Sequence, residues 1–134
     1  MKDKLLTEAF KAMENAYAPY SNYHVGSSIL TKDGVITHGA NIENASYGAS
    51  NCGERSAIFA TYSKGYRKED IEGIAIVTDG DILAGPCGIC RQVLSELLNL
   101  DTPIYLSNKK EEKTTNIQEL MPMMFGRKDL DDRL

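Results

Sequence analysis

Three cysteines constrain this chain more than any other feature of its 134 residues. Cys52 stands two positions before Glu54 and opens a stretch in which Ala57, Ile58, Thr61 and Tyr62 follow helical spacing. Cys87 and Cys90 lie in Pro86-Cys87-Gly88-Ile89-Cys90, and from there Cys90, Val93, Leu94, Leu97 and Leu98 recur at i, i+3, i+4, i+7 and i+8. A Cys-x-x-Cys pair across a helix start brings two sulfurs within reach of one ion. For the third sulfur to join them, two helix starts must lie side by side. Successive βα units do this: right-handed crossovers put both helices on one face of a sheet, with their N-termini at one edge. Open α/β sheets place their sites at that edge.

The rest of the pattern agrees. Leu5, Leu6, Ala9, Phe10, Met13 and Tyr17 predict an amphipathic helix over about residues 3–16, closed by Pro19. Val25 to Leu30, Asp33-Gly34 and Val35 to Thr37 predict a β-hairpin. Residues 39–50, rich in Asn, Gly and Ser, read as a loop long enough to be functional. The second helix runs from near Asn51 to about Ser63, Ile74 to Val77 is a strand buried on both faces, and Asp79-Gly80 to Pro86 is a loop. Ile104 to Leu106 follows as a strand, with Lys113 to Asn116 a weaker one. The expected fold is a single-domain α/β protein, a three-layer α/β/α sandwich around a mixed sheet of about five strands. Its core covers about residues 5–126, with a charged surface tail over 127–134.

Composition narrows the function. Fifteen basic and nineteen acidic residues leave a net charge of −4, which argues against binding a nucleic-acid backbone. Lys2, Asp3, Lys4, Glu8, Lys11 and Glu14 interrupt any early apolar run, and nowhere is there a run of about eighteen apolar residues. The expectation is a cytoplasmic protein without a signal peptide or membrane span. In a reducing compartment, grouped cysteines read as metal ligands or catalytic groups rather than disulfides.

Helix N-termini favour thiolate over thiol. Cys52, Cys87 and Cys90 without a convincing fourth ligand describe a catalytic zinc site, one Zn²⁺ per chain, with a position left for water. His24 and His38 fall in the hairpin region, away from the cysteine motifs. Zinc lowers the pKa of bound water to about 7, so a proton shuttle is needed, and Glu54 stands on the same first turn as a ligand. Three thiolates outweigh the charge of zinc. A guanidinium on the sulfurs draws some of that charge back, which gives Arg55 a role. Each residue also has a plainer reading. The cysteine pair suits redox chemistry, Glu54 suits a capping box with Asn51, and Arg55 suits a solvated helix face. The combination carries the signal.

Cys52-Gly53-Glu54 followed by Pro86-Cys87-Gly88-Ile89-Cys90 matches the three-cysteine form of the zinc nucleobase deaminase signature. Beyond the metal motifs, Ala18-Pro19-Tyr20-Ser21, Val25-Gly26, Asn41-Ile42-Glu43-Asn44-Ala45-Ser46-Tyr47-Gly48, Cys90-Arg91-Gln92 and Met121-Pro122…Phe125-Gly126 resemble the short, homotetrameric cytidine deaminases. The resemblance implies hydrolytic deamination of cytidine and 2′-deoxycytidine to uridine and 2′-deoxyuridine, as in pyrimidine salvage. Zinc-bound hydroxide attacks C4. Glu54 protonates N3 and later the leaving amine. It also implies that Asn41 and Glu43 hold the ribose 3′-hydroxyl, that the Gly53 N–H contacts the base, and that Phe125 enters a neighbouring subunit's pocket. An amide beside a carboxylate suits a sugar hydroxyl, although Asn and Glu in a loop also suit local turn bonds. For Phe125 the plainer reading is core packing.

The chain departs from the family pattern at Gly53, where Ala is usual, and at Tyr23-His24, where Phe-Pro is common. Tyr23 still offers a ring for stacking on the substrate. Two alternatives remain at this stage. One is a related deaminase acting on blasticidin S, a free base, a deoxynucleotide or tRNA adenosine. The other is a non-enzymatic zinc-stabilised interaction module, which predicts a fourth protein ligand.

Overall fold

A computed structural model describes residues 1–131. The expectation for the charged tail falls partly on residues 132–134, outside the described residues. The elements are α1 (Lys2–Met13), β1 (Val25–Thr31), β2 (Ile36–Ala40), α2 (Gly53–Ser63), β3 (Ile71–Thr78), α3 (Gly88–Leu97), β4 (Ile104–Ser107), β5 (Glu112–Thr115) and the short α4 (Ile117–Leu120). The strands form one sheet in the order β2-β1-β3-β4-β5. Only β3 and β4 pair parallel, so the sheet is mixed as expected.

The central strand shows why there are three layers. Side chains alternate along a strand. Ala75 and Val77 of β3 face one side and pack with Leu5, Leu6 and Ala9 of α1. Ile74 and Ile76 face the other and pack with Ala57 and Ile58 of α2 and Leu94 and Leu98 at α3. A strand buried on both faces needs the continuous apolar run that the sequence has there. On the second face, Gly39 of β2 lets α2 lie close. A Cβ at that position would stand 2.3 Å from the Ala57 nitrogen.

The fold follows the expected order, and its boundaries shift where distant partners intervene. α1 stops at Met13 rather than 16 because the chain turns there, with Ala16 N–H donating to Met13 O. Tyr17, counted in the helical pattern, instead bridges Ile42. Ile42 also bridges Asn51, so the expected loop over 39–50 is stapled at both ends and holds a short 3-10 turn at Tyr47–Ala49. β3 begins at Ile71, three residues before the apolar run, because Lys32 N–H donates to Asp70 O and extends the pairing with β1.

Candidate active site

The β2–α2–β3 and β3–α3–β4 connections bring the starts of α2 and α3 to one sheet edge. Cys52 is the N-cap residue of α2 and Cys87 that of α3, both in extended backbone. Cys90 follows on the first turn of α3 and is fully buried. The three sulfurs all lie within 4.8 Å of one another. Cys52 and Cys87 are 3.8 Å apart. Tetrahedral zinc with Zn–S bonds of about 2.3 Å holds its sulfurs about 3.8 Å apart, so this donor set fits zinc.

The sulfurs perturb one another. The Cys52 thiol is lowered to about 5, chiefly by the hydrogen bond from Cys90, with Arg55 adding to it. The same hydrogen bond, with burial, raises Cys90 above the ordinary thiol range. Arg55 Nη2 donates to Cys52 Sγ at 3.4 Å. Arg55 thus sits on the Cys52 sulfur rather than on a solvated helix face.

Glu54 is only 4 % exposed, and its carboxyl is pushed above the usual range by burial and then by the charge on Cys52. It does not form the capping box weighed for Asn51. No side chain caps α2, and Asn51 Nδ2 instead donates to Ser56 Oγ at 3.1 Å. A buried carboxyl pushed toward its neutral form beside ionisable sulfurs is suited to taking and giving protons. Gly53 packs against β1. A Cβ there would meet Val25 Cγ1 at 3.0 Å and Val25 O at 3.1 Å, so this neighbourhood leaves little room for alanine.

These groups open onto a cavity of about 620 Å³. Cys52, Glu54, Arg55 and Cys87 line it, together with Tyr23, Asn41 and Glu43. Asn41 is 8 % exposed, and both ends of its amide bond within the chain: Oδ1 accepts from Val25 N–H at 2.9 Å, and Nδ2 donates to Tyr23 O at 2.7 Å. Glu43 accepts from the N–H groups of Tyr20 and Ser21 and from the Ser21 hydroxyl. The Ser21 hydroxyl leads the contacts that hold the Glu43 carboxyl below the usual range. The loop-bracing reading of both residues therefore describes real bonds, and each retains acceptor capacity.

Phe125 does not line this cavity. It is 58 % exposed, and Gln92 Nε2 donates to its carbonyl at 3.1 Å. Core packing within its own chain is therefore not its role. Sequence reasoning gave no part to Ser21 or Tyr47, which also line the cavity. Both fall inside the motif blocks quoted above, which was the available signal.

The family model for the cytidine and deoxycytidylate deaminase zinc-binding region matches residues 1–105. A cytidine deaminase of Halalkalibacterium halodurans is 46% identical over 132 residues, 98% of each chain. One from Sporosarcina psychrophila is 43% identical over 96% of this chain and 93% of its own. The crystal structure of a cytidine deaminase from Burkholderia pseudomallei superposes with a TM-score of 0.89 at 41% identity, covering 93% of this chain and 99% of that one.

Proposed function

The chain belongs to the cytidine and deoxycytidylate deaminase family, and from that premise we infer that it is a zinc-dependent cytidine deaminase. In this reading Cys52, Cys87 and Cys90 hold the metal, and the reaction is the conversion of cytidine or 2′-deoxycytidine and water to uridine or 2′-deoxyuridine and ammonia. One observation carries the reading: two sulfurs of a three-cysteine cluster and the buried Glu54 carboxyl line one nucleoside-sized cavity.

Zinc, when bound, supplies a Lewis acid that makes water a competent nucleophile near neutral pH. Glu54 accepts the proton that water gives up and passes it to N3 of the pyrimidine. It then takes the remaining proton from the hydroxyl added at C4 and delivers it to the exocyclic amine, which leaves as ammonia as the C4 carbonyl forms. One carboxyl serves both transfers because burial keeps its proton affinity high. Arg55 offsets the surplus negative charge of three thiolates through Cys52. Elsewhere in the cavity, the remaining lone pairs of Asn41 and Glu43 receive the sugar hydroxyl, the Tyr23 ring stacks on the substrate, and the Gly53 N–H meets the base. Glu43 favours a free hydroxyl over a phosphate, so the substrate is a nucleoside rather than a nucleotide.

The active form in this reading is a homotetramer in which Phe125 enters a neighbour's site. Its exposure supports this, as does that of Met123 beside it. Among the described residues no helix is long and apolar enough to cross a membrane. The proposed setting is the cytoplasm, with one domain over residues 1–134. The deciding experiment is an ultraviolet assay on purified protein with cytidine, deoxycytidine, dCMP, cytosine and blasticidin S in parallel. The two nucleosides are the expected substrates. Turnover of blasticidin S alone, or of none, contradicts the reading.

A further inference from the structure

Residues 79 and 80 follow β3 and begin the stretch that leads to Pro86 and Cys87. The chemistry above uses neither, yet both pack against Tyr23-His24, of which Tyr23 lines the cavity. Asp79 and His24 share three contacts. The His24 backbone N–H donates to Asp79 Oδ1 at 2.9 Å, His24 Nδ1 lies 2.6 Å from Asp79 Oδ2, and the Asp79 N–H donates to His24 O at 3.2 Å. Burial opposes the charge on Asp79, but the bonds from His24 hold its carboxyl below the usual range. The acceptor is therefore ionised, and its hydrogen bonds belong to the stronger, charge-assisted kind.

Gly80 completes the arrangement. A Cβ there would stand 2.9 Å from Cε2 of Tyr23, and the three nearest atoms all belong to that ring. Asn108 Nδ2 donates to Gly80 O at 3.1 Å, which ties this turn to the end of β4. From the opposite side, Tyr23 O accepts from Asn41 and Tyr23 N–H donates to Ser21 Oγ at 3.0 Å. The Tyr23-His24 backbone is thus fastened from two directions. The ring lies against Gly80 and lines the cavity.

We propose that Asp79 is a positioning residue for substrate binding: through His24, and with Gly80 leaving room for the ring, it fixes Tyr23 as one wall of the nucleoside pocket. This rests on the reading of the cavity as a nucleoside site. A ring held in place before binding spares the substrate the cost of ordering it. Tyr23 faces bound substrate rather than the reacting atoms, so the effect falls on KM more than on kcat.

The test is steady-state kinetics with cytidine on zinc-loaded protein, comparing wild type, D79A, D79N, G80A and Y23A, with D79A and G80A each also combined with Y23A. D79A is expected to raise KM about tenfold with kcat within about twofold, the scale of coupling between contacting groups. D79N keeps an acceptor for the His24 N–H and recovers most of that loss. G80A also raises KM, because the Tyr23 ring is what stands in its way. In the Y23A background D79A and G80A each add less than about twofold, since a residue acting through Tyr23 has nothing left to act through. Should D79A not fold, H24A, which removes the Nδ1 contact alone, is read in the same way. An unchanged KM in these variants, or the full effect persisting on Y23A, overturns the positioning role while leaving the deaminase reading intact. A wild-type protein that does not turn over cytidine overturns both.

Discussion

In the proposed reading the cavity has a metal end and a sugar end, and the residues of the two are held in opposite ways. At the metal end, the sulfurs of Cys52, Cys87 and Cys90 lie against one another, and Arg55 donates to that of Cys52. Their positions come from backbone: two helix starts set side by side by the sheet. At the sugar end, the polar atoms of Asn41 and Glu43 are tied to Val25, Tyr23, Tyr20 and Ser21. Their positions come from their own side chains. Substitutions at the metal end should therefore remove function while leaving the sheet in place. Substitutions at the sugar end should loosen the loop and the substrate together.

The largest effect is expected from Cys87→Ala, which removes an exposed ligand. Zinc content should fall well below one per chain, and activity should drop by about 10³-fold or more, since the metal is worth several kcal/mol to the transition state. Far-ultraviolet circular dichroism should stay that of the folded protein. A variant that retains zinc and a tenth of the activity would break the metal end of the comparison.

Asn41→Ala comes next. It strands the Val25 N–H and the Tyr23 carbonyl, and losing one partner of a buried polar contact costs about 1–3 kcal/mol. Both the melting temperature and the specificity constant for cytidine should fall, with zinc retained. Glu43→Ala, on the exposed part of the loop, should lower the specificity constant with a smaller change in melting. The sharper readout is discrimination between cytidine and its 3′-deoxy analogue. If both variants keep the wild-type preference, the loop is structural alone.

The smallest effect is expected from Phe125→Ala, about two- to tenfold in activity with zinc unchanged, the range of aromatic contacts. Mixed with inactive Glu54→Gln protein under subunit exchange, it should regain activity, because an intact Glu54 site can borrow Phe125 from a neighbour. A monomer in light scattering that is fully active at assay concentration contradicts the composite site.

The same contrast explains what could be read from sequence. The cysteines and Glu54 were legible because their meaning is local: residue type, spacing of a few positions, and the start of a periodic run. The three layers were legible from the apolar run at Ile74 to Val77 between two helical patterns. Contacts that join remote residues were not. Nothing near Tyr17 announces its bridge to Ile42, and nothing near His24 announces Asp79, 55 positions away. The inward bonds of Asn41 were invisible for the same reason, since an amide in a loop looks identical whether it faces a sugar or its own backbone.

The central claim is that Glu54 moves protons beside the three-cysteine metal site, and Glu54→Gln tests it most directly. The amide nearly matches the carboxyl in shape but cannot accept the proton from water. Zinc content and cytidine turnover should be measured on the same preparation. The expected result is about one zinc per chain with turnover reduced at least 10²–10⁴-fold, the worth of general acid–base catalysis. Full zinc together with a tenth or more of the wild-type rate would contradict the account.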